Sequence, residues 1–243
     1  MTDLDAKIAL LAGASGLTGR AALDALLDAP EVSRVIAVSR RALGREHPRL
    51  ANRIVQFERL EAQLQGLKCD LACCCLGTTL RQAGSREAFR AVDVDCVLAF
   101  ARAARAAGAR RFIVVSSVGA DPGAQNFYLR TKGEMEAQLQ ALRFESLDIL
   151  QPSILRGWRG EIRPLELAAT LLMPLVNPLL GGKYKPYRSS SARALGAAIV
   201  GALRSGRRGM QRYDWEGLQA LARLGAPRPQ APPRPKTAGS RPR

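Results

Sequence analysis

Short apolar runs alternate with stretches of helical spacing along most of the 243-residue chain. The apolar runs predict strands at Lys7–Ala12, Arg34–Ser39, Ile54–Gln56, Leu71–Leu76, Phe112–Ser116 and Ser146–Gln151. Apolar positions three and four apart predict helices over Leu17–Asp28, Glu61–Leu64, Phe89–Ala107 and Phe127–Leu142. The strand runs are continuous in Val, Ile, Leu and Cys rather than alternating. Such strands are buried on both faces, so the pattern predicts a doubly wound α/β domain, a parallel sheet between helical layers. In that architecture ligands bind beyond the carboxyl ends of the strands. From Arg156 the alternation weakens. Leu165–Leu180 reads as a proline-interrupted apolar helix, and Ser189–Leu203 as a second helix after a Lys183–Tyr187 loop. Met210–Trp215 reads as a last strand, with a short helix reaching Leu224. Three regions are expected: a core over 1–155, a part completing the sheet over 156–225, and a tail over 226–243. The tail is rich in Pro and Arg and lacks acids, which predicts disorder.

Composition narrows the function classes. The chain is long enough for one sizeable domain. No stretch reaches the ~18 apolar residues that span a bilayer. The nearest, Leu165–Leu180, is interrupted by Glu166, Pro174, Asn177 and Pro178. Asp3 and Asp5 lead into a strand rather than a signal peptide, so a cytoplasmic location is expected. A net charge of +16 invites a nucleic-acid reading. Aromatics are few, however, and no basic run is interleaved with them as a stacking platform requires. The charge is read as arginine on solvated faces, and the expected partner is a small molecule rather than nucleic acid. The five cysteines are odd in number, which argues against a disulfide framework. Cys73, Cys74 and Cys75 are consecutive, so on a strand they point alternately to opposite faces and do not converge on a metal. They are read as small core residues, and no metal is expected. His47, the sole histidine, has no ligand or triad pattern around it.

The candidate chemistry lies just after the strands. Gly13, Gly16 and Gly19 follow the first strand and open a helix, with Ser15, Leu17 and Thr18 between them. Gly13 permits the turn, Gly16 brings backbone close to a phosphate, and Gly19 lets helix and strand pack. The helix N-terminus then offers N–H groups to an anion. The GxxGxxG spacing differs from GxGxxG and points to a variant dinucleotide-binding fold. Arg40 and Arg41 follow the second strand, where an NAD site favours Asp or Glu. Arginine there suits the 2′-phosphate of NADP; the competing reading is a surface arginine. Leu76, Gly77 and Thr78 follow the fourth strand and fit either a cofactor approach or an ordinary turn. Ser116 and Ser117 end the fifth. Tyr128 and Lys132 stand four apart on the next helix, hence on one face. An ammonium beside a phenol lowers its pKa and suits it to acid/base work, and a serine can hold the substrate oxygen. Pro152 and Ile154 follow the sixth strand; the proline either terminates it or also walls a nicotinamide.

The set Gly13-x-x-Gly16-x-x-Gly19, Ser117, Tyr128-x-x-x-Lys132 and Pro152 resembles the short-chain dehydrogenase/reductase superfamily in its extended and atypical branches. The segments CLGTTLRQAGSREAFRAVDVD (Cys75–Asp95), VVSSVGAD (Val114–Asp121) and NFYLRTKGEMEAQL (Asn126–Leu139) are similar to atypical NAD(P)H-binding, nucleoside-diphosphate-sugar-epimerase-like proteins related to the Tat-interacting-protein oxidoreductases. The likeness covers about residues 5–220. It implies a Rossmann core of seven strands, NADP(H) at Gly13–Gly19 and Arg40, and a Ser-Tyr-Lys site. Tyr128 would be the acid/base, Lys132 would hold the nicotinamide ribose and tune Tyr128, and Ser117 or Ser116 would orient the substrate oxygen. Residues 156–225 would line the substrate cleft. The loop from Ser117 to Tyr128 is shorter than in sugar-modifying relatives and lacks their VYG pattern, which disfavours a nucleotide sugar. The expected activity is hydride transfer to or from a small carbonyl or alcohol. The alternatives are an NADP(H)-binding regulatory protein and an epimerase or dehydratase that retains its cofactor. A homodimer is compatible with all three.

Overall fold

In the computed structural model, residues 6–153, 155–156 and 182–227 are described. The chain runs β1 (Lys7–Ala12), α1 (Leu17–Asp28), β2 (Val32–Ser39), β3 (Leu50–Ile54), α2 (Leu60–Gln63), β4 (Leu71–Cys74), α3 (Leu80–Ala83) and α4 (Arg86–Arg90). A π-helical segment, Ala91–Cys96, leads into α5 (Val97–Ala106). Then come β5 (Arg111–Val115), α6 (Phe127–Ala141), β6 (Ser146–Leu150), β7 (Leu155–Arg156), β8 (Ser190–Ser191), α7 (Ala192–Arg204), β9 (Gly209–Tyr213) and α8 (Trp215–Gly225). Ile154, the Leu165–Leu180 helix and the tail from residue 228 onward lie outside the described residues.

Seven strands form one parallel sheet in the order β3-β2-β1-β4-β5-β6-β9. The order reverses between β1 and β4, so their carboxyl ends flank the crevice where such sheets bind ligands. This is the Rossmann-type α/β fold. Leu11 pairs with Ala37 on one side and Cys73 on the other. Alternate residues feed separate core layers, as a pleated strand requires. Leu10, Cys74, Phe112 and Val114 pack with Phe100 of α5 and Met135 and Leu139 of α6. Leu11, Cys73 and Ile113 pack with Leu23 and Leu26 of α1, Leu195 and Ile199 of α7, and Leu218 of α8. Cys73 and Cys74 are thus fully buried core residues on opposite faces.

Two expected elements shift. The third strand is Leu50–Ile54, not Ile54–Gln56. It is an edge strand with a half-exposed face, so it carries no apolar run. The apolar positions just beyond it are Val55 and Phe57, which bury themselves in the turn that follows. The long helix expected over Phe89–Ala107 starts earlier. The Ser85 side chain caps it, accepting from Ala88 N–H, and the π-helical segment interrupts it.

Candidate functional site

Gly13 ends β1 with φ +84°, a left-handed conformation that side chains rarely adopt. A β-carbon there would lie 2.5 Å from the Cys75 carbonyl oxygen. One at Gly19 would overlap the Gly13 carbonyl, so α1 starts in direct backbone contact with the turn. Gly16 caps the helix in extended conformation and donates its N–H to Gly13 O at 3.0 Å, with no side-chain cap. The N–H groups of Leu17, Thr18 and Gly19 have no intrahelical acceptor, as at any helix start. Ser15 is exposed, and its carbonyl accepts from Arg20 Nε at 3.0 Å. The arrangement can hold an anion.

Across the crevice, Gly77 and Thr78 follow β4. A β-carbon at Gly77 would stand 3.4 Å from Asp93 Oδ1 and 3.7 Å from Lys132 Nζ. Lys132 Nζ itself lies 2.7 Å from Asp93 Oδ1, with both side chains almost wholly buried. The other carboxylate oxygen, Oδ2, accepts the Thr78 N–H at 2.8 Å. Burial, the largest influence on Lys132, pushes its ammonium down; the Asp93 carboxylate and then the Tyr128 phenol push it up, and the net direction is upward. Lys132 is held charged at the rim. One turn earlier on α6, the half-buried Tyr128 ring packs tilted against Phe89, centroids 5.6 Å apart.

Ser116 is buried, and its Oγ has no hydrogen-bond partner. Ser117 is half-buried and donates to the Val118 carbonyl at 3.3 Å. The loop from Ser117 is pressed onto α6 at Gly133, where a β-carbon would overlap the Asp121–Pro122 backbone. Pro152 is buried, and its carbonyl accepts from Val118 N–H at 3.1 Å, joining the ends of β5 and β6. Arg40 and Arg41 are exposed at the end of β2. Ser39 Oγ donates to the Arg41 carbonyl at 2.6 Å, and Asn52 Nδ2 donates to Ser39 Oγ at 2.8 Å, bracing that loop. Half-buried Leu76 and Thr78 and exposed Gly77 complete the crevice. The structure therefore links Thr78 and Lys132 through Asp93, with Gly77 beside that pair. Gly13, Gly16 and Gly19 follow β1, Arg40 and Arg41 follow β2, Ser116 and Ser117 follow β5, and Pro152 follows β6; Ile154 lies outside the described residues.

A family described as NAD(P)H-binding matches residues 13–158. The chain belongs to this NAD(P)H-binding family. Its relatives include protein HTATIP2 of Rattus norvegicus, 38% identical over 167 residues, covering 67% of this chain and 69% of that protein. Protein fmp52, mitochondrial, of Aspergillus fumigatus is 33% identical over 184 residues, 73% of this chain and 78% of that one. Among solved structures, MoeE5 in complex with UDP-glucose and NAD superposes with TM-score 0.63 at 17% identity, over 84% of this chain and 74% of that one. An oxidoreductase of the short-chain dehydrogenase/reductase family from Burkholderia thailandensis superposes with TM-score 0.60 at 21% identity, over 87% and 92% of the two chains.

Two buried acids of this family member carry no obvious mark in the sequence. Asp93 follows Phe89 and precedes Val97 at four-residue spacing, and all three are fully buried. A carboxylate on a core-facing stripe was the available signal. Glu136, one turn beyond Lys132, is also buried. It accepts from Gln151 Nε2 at 2.9 Å and pairs with Arg212 Nε at 2.8 Å, tying α6 to the ends of β6 and β9. Among the described residues no group of His, Cys, Asp and Glu is arranged to hold a metal, and no helix is long and apolar enough to cross a membrane.

Proposed function

We propose that the protein is an NADP(H)-dependent oxidoreductase acting on a small carbonyl or alcohol. The observation that carries this reading is the buried Lys132 ammonium. It is held charged at the carboxyl rim, beside the Gly77 loop and one helical turn from Tyr128. The glycine turn suits the cofactor: a β-carbon at Gly13 or Gly19 would collide with backbone, and the turn presents helix N–H groups with no side-chain cap to a pyrophosphate. Arg40 and Arg41 offer forked cations at the end of β2, where a 2′-phosphate would sit.

The bound cofactor supplies or accepts the hydride. The protein's own groups handle the proton. Tyr128 Oη gives a proton to the developing alkoxide in reduction and takes it back in oxidation. Lys132 stabilises the phenolate so formed by its charge and holds the nicotinamide ribose. Ser117 Oγ donates a hydrogen bond to the substrate oxygen. Gly77, Thr78, Leu76 and Pro152 would close on the cofactor. The short, α6-pinned loop between Ser117 and Tyr128 favours a compact substrate over a nucleotide sugar.

The test is NADPH consumption by the purified protein across a panel of small aldehydes and ketones, with Tyr128→Phe alongside. Turnover lost in the variant while NADPH still binds is expected. Turnover unaffected by the substitution would overturn the assignment.

A further inference from the structure

Asp93 is positioned by an irregularity. The six-residue π segment Ala91–Cys96 widens the helix between α4 and α5. Such bulges cluster at functional sites, because they re-aim a side chain without ending the helix. Here the segment carries a fully buried carboxylate to the rim of the sheet, where its two oxygens take different partners. Oδ1 meets the Lys132 ammonium at 2.7 Å. Oδ2 accepts the Thr78 backbone N–H at 2.8 Å. Gly77 lies beside both: a β-carbon there would be in van der Waals contact with Asp93 Oδ1 at 3.4 Å and Lys132 Nζ at 3.7 Å.

We propose that Asp93 is a positioning residue for the reaction: one carboxylate ties the Lys132 ammonium to the backbone of the Gly77–Thr78 loop, fixing together the cation that serves phenol and ribose and the loop that approaches the cofactor. This rests on the role proposed for Lys132 in the reductase reading. A neutral residue of the same shape at 93 could still accept from Thr78 N–H. It could not balance a buried ammonium. Burial alone drives Lys132 toward the neutral amine. The groups that face it are Asp93 from the π segment, Tyr128 from its own helix and Cys74 from β4. The Cys74 thiol is pushed up to about 12 by burial, so it is neutral near pH 7 and supplies no compensating charge. Asp93 is therefore the anion that keeps Lys132 protonated.

The experiment compares the wild type with Asp93→Asn, a near-isosteric change, and with Asp93→Glu as the charge-conserving control. Three readouts are taken: the pH titration of Lys132 by NMR of lysine-labelled protein, the NADPH dissociation constant, and the pH profile of turnover. Few lysines occur in this sequence, and Lys132→Arg assigns the resonance. In Asp93→Asn, Lys132 should titrate at lower pH, NADPH should bind about tenfold more weakly, and the alkaline limb of the profile should move to lower pH. Asp93→Glu should restore part of each. An Asn variant that melts earlier but keeps the wild-type lysine titration, NADPH affinity and pH profile would make Asp93 merely structural and overturn the proposal. A wild type that binds NADPH, shows the lysine shift on substitution and reduces no carbonyl would uphold the Asp93 link and reject the reductase reading.

Discussion

Gly19 has no room for a β-carbon because the Gly13 carbonyl oxygen occupies that place. The first turn of α1 and the end of β1 therefore touch through backbone alone. That contact aims the uncapped helix N-terminus at the crevice between β1 and β4. In Gly19→Ala the obstructing atoms are backbone, not the tip of a flexible side chain, so helix and turn must separate. Overpacking of this kind costs about 2 kcal/mol, a fall in Tm of roughly 4–8 °C for a domain of this size. NADPH affinity should fall at least tenfold. Thermal melts and fluorescence titration check both. A variant that binds NADPH like the wild type would show that the turn does not hold the cofactor.

Arg40 and Arg41 are tested by cofactor choice. Both guanidinium groups are exposed on a loop braced by Ser39 and Asn52. Replacing both by Ala should leave the fold intact. A charge-assisted contact to a phosphate is worth about 1.5–3 kcal/mol, so NADPH binding should weaken about tenfold or more while NADH binding stays constant. Equal loss for both cofactors would return these residues to the solvated surface.

The sequence made the first strand and helix legible to the residue, because Gly13 and Gly16 punctuate them sharply: Lys7–Ala12 and Leu17–Asp28 stand as expected. The parallel sheet was legible too, since buried strands read as continuous apolar runs. Other features were hidden for physical reasons. The edge strand Leu50–Ile54 faces solvent and has no apolar signature. The π segment keeps the four-residue apolar spacing, so Phe89, Asp93 and Val97 look like an ordinary helix face. The partners of Asp93 and Glu136, Lys132 and Gln151, lie on other elements, and only folding reveals the pairing. Ser116 and Ser117 could not be ranked from adjacency alone; burial leaves Ser116 Oγ without a partner and Ser117 half-exposed.

The cysteines should be slow to react. Burial pushes the Cys69 and Cys74 thiols up to about 12 and Cys73 higher still. Thiolate is the reacting species, so at about pH 8 these thiols should alkylate roughly a thousandfold more slowly than a free cysteine. Cys96 is half-exposed and raised as well, by burial first and then by Glu58 and Asp95. It should label before the strand cysteines. Timed iodoacetamide labelling read by peptide mass spectrometry gives the order. Cys73 or Cys74 reacting as fast as Cys96 in native protein would show that β4 opens readily.

Away from the crevice, Asp148 gives a pH dependence with a definite sign. It is fully buried on β6, 2.7 Å from Arg111 of β5 and 3.0 Å from the Tyr213 hydroxyl of β9. Burial, its largest influence, raises it above the ordinary 3.8; Arg111, Tyr213 and Ser146 pull it down without cancelling the rise. Between 3.8 and the higher folded value the native state binds more protons than the unfolded chain. Stability from this group is therefore fully present below that window and is lost as pH rises through it. Asp148→Asn removes the titration. Relative to wild type, it should gain stability as pH rises from about 4 to 7. Arg111→Met does the opposite, leaving a buried carboxylate without its cation. It should lose about 3 kcal/mol at neutral pH and recover part of that on acidification. Melts of the three proteins across this range decide the matter: if Asp148→Asn instead falls further behind the wild type with rising pH, the ionised pair is a net stabiliser and Asp148 titrates below its ordinary value in the folded protein.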